Sequence, residues 1–290
     1  MSLTEEVRAT CSEIAAGARH VSIDLERLSE VEPGPPPTLD AEHHFLEGSR
    51  EEVTHYLLVL DSINFGSGWF PTLRKRPGLS GYFTVAASLT DFWRSSGGWP
   101  ATELRASRAE DVALVLGQDA GHEPMALYAE ALRDLGRFLG ERRSIDVVSE
   151  ADGSAERLAT MLATGMPFFD DVGFWKRAQI TANDLALAGV AEFDDLDRLT
   201  IFADNLVPHV LRVDGVLVYE PALAARIDAG ELLPPGGEER EIRACAVHAC
   251  ELIAAQLGVP PRLLDTWLWN RGQGPRYKSV PRHRCRTVFY

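Results

Sequence analysis

Residues 199–211 read Leu-Thr-Ile-Phe-Ala-Asp-Asn-Leu-Val-Pro-His-Val-Leu and hold a single carboxylate, Asp204, in apolar surroundings. The apolar residues before Asp204 recur at helical spacing. Pro208 cannot continue a helix, and it disfavours helical geometry at the preceding Val207. The pattern therefore predicts that Asp204 lies at the end of a helix. A carboxylate at such a break can point into a cavity, where partial burial strengthens it as a base.

A structural interpretation of Asp204 competes with the catalytic one. Aspartate side chains often accept hydrogen bonds from free backbone N–H groups near a helix break. The spacing alone favours this role, so the catalytic hypothesis needs support from the rest of the chain.

The composition predicts a globular protein with room for a large core. The chain has 290 residues, of which 45% are hydrophobic, and this suits one large domain or two modest ones. No apolar run reaches the length of a membrane span, and the N-terminal Met-Ser-Leu-Thr-Glu-Glu lacks the features of a secretory signal. We therefore expect a cytoplasmic protein without a membrane partner.

No recognised metal or cofactor motif occurs in the sequence. It has neither a glycine-rich phosphate loop nor a Gly-x-Ser-x-Gly turn. The cysteines are not spaced as metal ligands, and a chain of this size does not need disulfides, so we expect reduced thiols at Cys11, Cys245, Cys250 and Cys285. We accordingly predict an activity that needs no metal and no organic cofactor.

The charge distribution disfavours polymeric anions such as DNA or RNA but allows a small anionic ligand. A formal net charge of −14 opposes binding to DNA or RNA, because such binding relies on clustered basic residues. The chain after Asp265, however, has no acidic residue. A small anion could bind to its basic side chains, which are Arg271, Arg276, Lys278, Arg282, Arg284 and Arg286.

Hydrophobic periodicity predicts a mainly α fold. Ser49 and Glu52 form the capping box of one helix, and Ser107 with Glu110 predicts the start of another. The one good strand signal is Val210 to Tyr219, where Asp214-Gly215 predicts a tight hairpin. Helices are expected at about 4–29 (one or two), from 49, and at 80–93, 107–116, 124–140, 154–164, 174–188, 221–229, 239–257 and 264–269.

Several polar residues accompany the predicted helices. The period of the helix at 174–188 places Lys176 and Asp184 on one face, where they are either surface charges or pocket residues. If this face and Asp204 line one cavity, its charged and aromatic composition suits a planar, polar base. Asp265, between Leu264 and Trp267, could accept a hydrogen bond from an amino group of a heterocycle, or it could pair with the basic tail.

Six stretches in chain order together resemble the queuosine salvage proteins, the queuosine 5′-phosphate N-glycosylase/hydrolase family. The similarity covers nearly the whole chain. The stretches are Asp-Ser-Ile-Asn-Phe (61–65), Ser-Gly-Tyr (80–82), Trp-Lys-Arg-Ala-Gln-Ile (175–180), Leu-Thr-Ile-Phe-Ala-Asp (199–204), Glu-Ile-Arg-Ala-Cys (241–245) and His-Arg-Cys-Arg-Thr-Val-Phe-Tyr (283–290).

The resemblance implies one domain over residues 1–290 that is similar to helix-hairpin-helix DNA glycosylases, with two helical lobes around a pocket as the open alternative. It implies hydrolysis of queuosine 5′-monophosphate to release queuine, with the central role at Asp204. The substrate contacts that we carry over are His44, Phe202, Lys176, Asp184, Asp265, Asn64 and Phe65. His43 competes with His44, and the sequence does not decide between them.

The chain departs from the family pattern in two places. Asn64-Phe65 is followed by Gly-Ser-Gly-Trp-Phe instead of x-Phe-Trp, and Asp204 is followed by Asn205-Leu206 instead of Tyr-Arg. The second departure leaves the phosphate contacts open. Alternating residues of an extended segment point the same way, so Arg284 and Arg286 could face one anion, with Lys176 as a third donor. Alternatively, the tail pairs with surplus acidic residues elsewhere.

Two rival functions remain at this point. One is a DNA-glycosylase-like enzyme that acts on another nucleobase, although the −14 charge argues against it. The other is a helical interaction module without catalysis, which predicts a polar groove instead of an enclosed pocket. We expect a monomer, while the sequence itself does not determine the oligomeric state.

Overall fold

The computed structural model describes all 290 residues. It contains fourteen α-helices and one two-stranded sheet, so the predicted mainly α class is confirmed. The helices are α1 (Leu3–Gly17), α2 (Arg50–Ser62), α3 (Gly81–Ser96), α4 (Ala101–Leu104), α5 (Ala109–Leu116), α6 (Glu123–Leu139), α7 (Ser144–Ser149), α8 (Ala155–Gly165), α9 (Lys176–Leu187), α10 (Leu206–Val213), α11 (Pro221–Asp228), α12 (Gly237–Leu257), α13 (Pro261–Arg271) and α14 (Pro275–Lys278). The strands are β1 (Val21–Ile23) and β2 (Leu217–Tyr219).

The chain folds into two compact units, and each is built from separate segments. The first unit comprises Met1–Pro37, Val172–Lys176 and Asp195–Thr287. The second unit comprises Thr38–Asp171, Arg177–Asp194 and Val288–Tyr290. The similarity to DNA glycosylases and the domain count stay predictions.

Helix α12 forms the centre of the first unit. It packs against α1, α10 and α13, and it is buried on more than one face, with Ile242, Val247 and Ile253 among its buried apolar residues. Glu238 and Glu239 lie in its first turn, where carboxylates interact favourably with the helix dipole. The helix stops at Gly258, whose φ of +66° is the left-handed conformation that favours glycine. The four cysteines are buried and form no disulfide with one another.

The predicted hairpin at Val210 to Tyr219 is wrong. Residues 210–213 form the end of α10, and Gly215, at φ +81°, lies in the turn that follows the helix. Strand β2 instead pairs antiparallel with β1, with Val21 opposite Tyr219. A short apolar run fits both helical and strand periods, so its partner had to come from tertiary packing. Strand β1 lies within the segment 4–29, for which one or two helices were predicted, and α1 is the α-helix that the structure has there.

The prediction that Asp204 lies at the end of a helix is also wrong. Asp204 instead precedes the start of α10, and the element immediately before it is a 3₁₀ turn at Leu196–Arg198. Pro208 occupies the first turn of α10, and Val207 is helical. Proline is tolerated there because first-turn N–H groups have no intrahelical partner.

Helix α2 lies at the centre of the second unit and packs against α6 and α7. Its capping box is confirmed, since the side chains of Ser49 and Glu52 each accept from the other residue's backbone N–H. The predicted Ser107 cap of α5 is wrong. Arg108 is the N-cap and makes no side-chain cap, because a guanidinium has no acceptor for the first N–H groups of the helix. Ser107 belongs to the preceding turn, where its N–H donates to the Leu104 carbonyl.

No single helix of this chain combines the length and hydropathy of a membrane span. Only α12 and α13, taken together as a pair bent by 110°, satisfy the length and composition that a span would need.

Candidate active site

The start of α10 holds Asp204 in a defined orientation. Its Oδ1 accepts hydrogen bonds from the backbone N–H groups of Leu206 at 2.7 Å and Val207 at 3.1 Å. These bonds satisfy N–H groups that a helix leaves open in its first turn. One oxygen of Asp204, Oδ1, therefore has the structural role of accepting backbone hydrogen bonds. The other oxygen makes no hydrogen bond, so the same side chain also presents an oriented acceptor.

A second carboxylate, Asp265 on α13, lies close to Asp204. Asp265 is buried, and its Oδ1 accepts from the backbone N–H of Phe202 at 2.8 Å. Burial, and next the charge of Asp204, raise the pKa of Asp265 well above its ordinary value of 3.8, whereas Lys176 acts in the opposite direction. Two neighbouring carboxyl groups with unlike surroundings tend to take different protonation states.

Lys176 belongs to the first unit and follows a residue, Trp175, with a strained backbone conformation. It is buried at the start of α9, directly after Trp175. Trp175 has a φ of +45°, which a bulky residue adopts only when its surroundings hold it there. Arg243 braces the same region, because its guanidinium stacks on the Phe174 ring at 3.9 Å and its Nε donates to the Ala203 carbonyl at 2.9 Å.

The two tail arginines that were predicted to face an anion have different surroundings. Arg284 is partly buried, and its Nη2 donates to the carbonyl of Gly230 at 2.8 Å. Arg286 is exposed. His283, before Arg284, and Cys285, between the two arginines, are buried. Buried and more exposed side chains therefore alternate, as expected of an extended segment. Their contact with an anion stays a prediction.

The structure distinguishes the two histidines that precede α2 in the second unit. His44 is buried, and its Nδ1 and Nε2 lie 2.8 Å from the Asp40 carbonyl and 2.9 Å from the Tyr82 hydroxyl. Burial lowers the pKa of His44. In the neutral ring Nδ1–H donates to the carbonyl, which can only accept, and Nε2 therefore accepts from Tyr82. His43 instead pairs with the Asp40 carboxylate at 2.6 Å.

The other predicted residues of the second unit lie at the ends of α2 and α9. Asn64 is partly buried, and Phe65 is buried with its ring 4.9 Å from that of Tyr128. Asp184 is buried, and its Oδ1 accepts from the side-chain amide of Asn183 at 3.3 Å. Their contact with a substrate stays a prediction.

Arg177 is a structural residue that the sequence analysis missed. Its buried guanidinium stacks on Phe65 at 4.8 Å, and it donates to backbone carbonyl groups in three separate segments. These carbonyls belong to Asp61, Ser62, Phe168 and Val288. Arg177 thereby orders the segment that carries Asn64 and Phe65. The available signal was its place in the stretch Trp-Lys-Arg-Ala-Gln-Ile (175–180).

The second unit contains one group of potential metal ligands. Donor atoms of Asp40, Glu42 and His43 lie within 4.8 Å of one another. Asp40 and His43 already form an ion pair, and Asp40 and Glu42 are exposed. Exposed acidic groups of this kind are common without an ion, so we assign no metal to them.

Comparison with known proteins relates this geometry to one family. A sequence model described as queuosine salvage protein matches residues 43–290. The chain belongs to the queuosine salvage protein family. The resemblance inferred from the six stretches is thereby confirmed, and Phe202 and Asp204 lie within the matched range.

Three relatives of this queuosine salvage chain are named queuosine 5′-phosphate N-glycosylase/hydrolase. The protein of Sphaerobacter thermophilus is 34% identical over 98% of this chain and 97% of its own length. The Bos taurus protein is 29% identical over 84% of this chain and 83% of its own length. The Dictyostelium discoideum protein is 39% identical over 41% of this chain and 40% of its own length.

Proposed function

We propose that this chain is an N-glycosyl hydrolase that cleaves the bond between base and ribose in queuosine 5′-monophosphate. The products are queuine and ribose 5-phosphate. The observation that carries the proposal is the orientation of Asp204, whose Oδ1 caps α10 while its other oxygen makes no hydrogen bond. Membership of the queuosine salvage family and the printed names of its relatives support this substrate.

The chemistry follows from how the bond breaks. The bonding electron pair leaves with the glycosidic nitrogen of the base, so positive charge develops on the ribose ring. The free oxygen of Asp204 stabilises that charge and orients or deprotonates the attacking water. The water oxygen bonds to the anomeric carbon, and the departing base takes up a proton. The amides of Leu206 and Val207 keep the carboxylate in place during this step.

In this proposal Asp265 and Phe202 contact the nucleobase of the substrate. Asp265 can bind an amino or ring N–H group of a heterocycle through a carboxyl oxygen, and its raised pKa allows it to donate as well. Phe202 is buried, and its backbone N–H orients Asp265. Lys176 supplies positive charge near Asp265. His44, Asn64, Phe65 and Asp184 remain proposed substrate contacts, to be tested one at a time.

The proposed partner is a free nucleotide. The −14 charge supports a small substrate over polymeric nucleic acid. We further propose that the protein acts as a monomer in the cytoplasm, away from membranes.

A direct assay tests the function. Purified protein is incubated with queuosine 5′-monophosphate, and free queuine and ribose 5-phosphate are quantified by mass spectrometry. Guanosine 5′-monophosphate and a DNA duplex with a modified base serve as comparison substrates. We expect turnover of the queuosine nucleotide alone. Release of a base from the duplex would support the DNA-glycosylase alternative, and no turnover of any substrate would support a binding module.

A further inference from the structure

The proposed function leaves the binding of the 5′-phosphate unexplained. An acidic chain that selects a nucleotide needs a local cation whose hydrogen-bond donors are available. The tail after α13 has no acidic residue, and its basic residues are Arg276, Lys278, Arg282, Arg284 and Arg286. The contacts of these basic side chains show which of them have hydrogen-bond donors available for a phosphate.

Most of the tail arginines are already engaged. Arg276 forms an ion pair with Asp214, as does Arg271 at the end of α13, and Arg284 donates to the carbonyl of Gly230. Arg286 is exposed. Arg282 is the exception, because it is partly buried and its guanidinium makes no hydrogen bond and no ion pair. None of its side-chain nitrogen atoms is fully buried, so these unused donors are open to a ligand that supplies acceptors.

The backbone on both sides of Arg282 is anchored next to the catalytic segment. The side-chain amide of Asn205, which follows Asp204 directly, donates to the carbonyl of His283 at 3.1 Å. On the other side, Arg212 donates to the carbonyl of Pro281 at 3.4 Å. The position of Arg282 is therefore defined relative to Asp204 by contacts that do not involve its own side chain.

Arg282 and Asp204 are also near each other without being in contact. Arg282 lies close enough to Asp204 for their charges to interact, yet the two form no ion pair. In ribose 5-phosphate the anomeric carbon is connected to the phosphate through the ring oxygen, C4, C5 and the ester oxygen. A carboxylate directed at the first and a guanidinium directed at the second must be near each other without touching.

We propose that Arg282 binds the 5′-phosphate of the substrate and thereby makes this enzyme prefer the nucleotide over the nucleoside. The inference rests on the proposed function, and it assigns the phosphate contact to a residue that the sequence analysis passed over in favour of Arg284 and Arg286.

The test compares Arg282→Gln, Arg282→Lys, Arg284→Gln and the control Arg276→Gln. For each variant we would measure kcat/KM with queuosine 5′-monophosphate and with queuosine, and the affinity for ribose 5-phosphate by calorimetry. We expect Arg282→Gln to lose about 10- to 100-fold with the nucleotide and in ribose 5-phosphate affinity, because charged hydrogen bonds have this worth. The nucleoside rate should change less than about threefold, and Arg282→Lys should recover part of the loss.

Several results would overturn the assignment of Arg282. Equal losses with both substrates would mean that it acts only on Asp204 or on stability. A selective loss in Arg284→Gln with none in Arg282→Gln would move the phosphate site along the tail. If the wild type hydrolyses neither substrate, the proposed function fails by itself, and the calorimetry still decides whether Arg282 binds the sugar phosphate. The control Arg276→Gln should bind ribose 5-phosphate like the wild type.

Discussion

The carboxylate of Asp265 accepts a hydrogen bond from the backbone N–H of Phe202 at 2.8 Å. This contact joins α13 to the segment that ends in Asp204, two residues further on. The position of the proposed catalytic carboxylate therefore depends on a helix about sixty residues later in the chain. Asp265 thus has a structural task besides its proposed contact with the base.

Asp204→Asn should remove hydrolysis and leave the fold intact. Asparagine keeps an acceptor for the amides of Leu206 and Val207, so the cap of α10 persists. It loses the charge that stabilises the ribose cation, which we expect to lower kcat by about 10²- to 10⁴-fold. Single-turnover kinetics and the melting temperature measure the two effects.

The control for this prediction is Asp197→Asn, which removes a mostly exposed aspartate whose partner is Arg262. It should keep wild-type turnover. Near wild-type turnover in Asp204→Asn would exclude Asp204 as the catalytic carboxylate.

Asp265→Asn should change stability in a pH-dependent way. Because burial raises the pKa of Asp265, the folded state holds this proton at pH values where the unfolded chain has lost it. The contribution of Asp265 to the free energy of unfolding therefore falls as pH rises from its ordinary pKa to its folded pKa. Asparagine does not titrate, so the variant does not lose stability in this way. The melting temperature of the variant minus that of the wild type should therefore increase as the pH is raised from 4 to 8. A difference that is constant with pH would contradict the raised pKa.

His283→Gln should alter the acid limb of the stability curve. His283 is buried without a hydrogen bond to either ring nitrogen, and burial lowers its pKa from 6.5 to about 3. Below pH 6.5 the unfolded chain binds a proton that the folded chain refuses, so stability falls as pH decreases. This group alone should cost about 2 kcal/mol at pH 5 relative to pH 7.5. Urea unfolding of wild type and variant at both pH values measures the difference, and parallel profiles would contradict it.

Chelation should leave turnover unchanged. The proposed chemistry uses a carboxylate and water, and the sequence has no recognised metal-ligand spacing. We would assay hydrolysis after dialysis against EDTA and again after adding Mg²⁺, Mn²⁺ or Zn²⁺. A loss that one ion restores would show that the mechanism is incomplete, and Asp40→Asn would then test whether the Asp40, Glu42 and His43 group holds that ion.

Local features of the sequence determined most of the helices and the family. The capping box of Ser49 and Glu52 and the end of α12 at Gly258 each depend on residues within one turn of each other, so both can be recognised without a structure. The six ordered stretches identified the queuosine salvage family in the same way, through residue types along the chain.

Only the tertiary structure decided the features that join distant residues. Val21 pairs with Tyr219, and Phe202 donates to Asp265. The burial of His44 instead of His43, and the unused donors of Arg282, likewise depend on neighbours remote in sequence. Periodicity records which face of an element is apolar, whereas pairing, burial and shifts of pKa depend on what packs against that face.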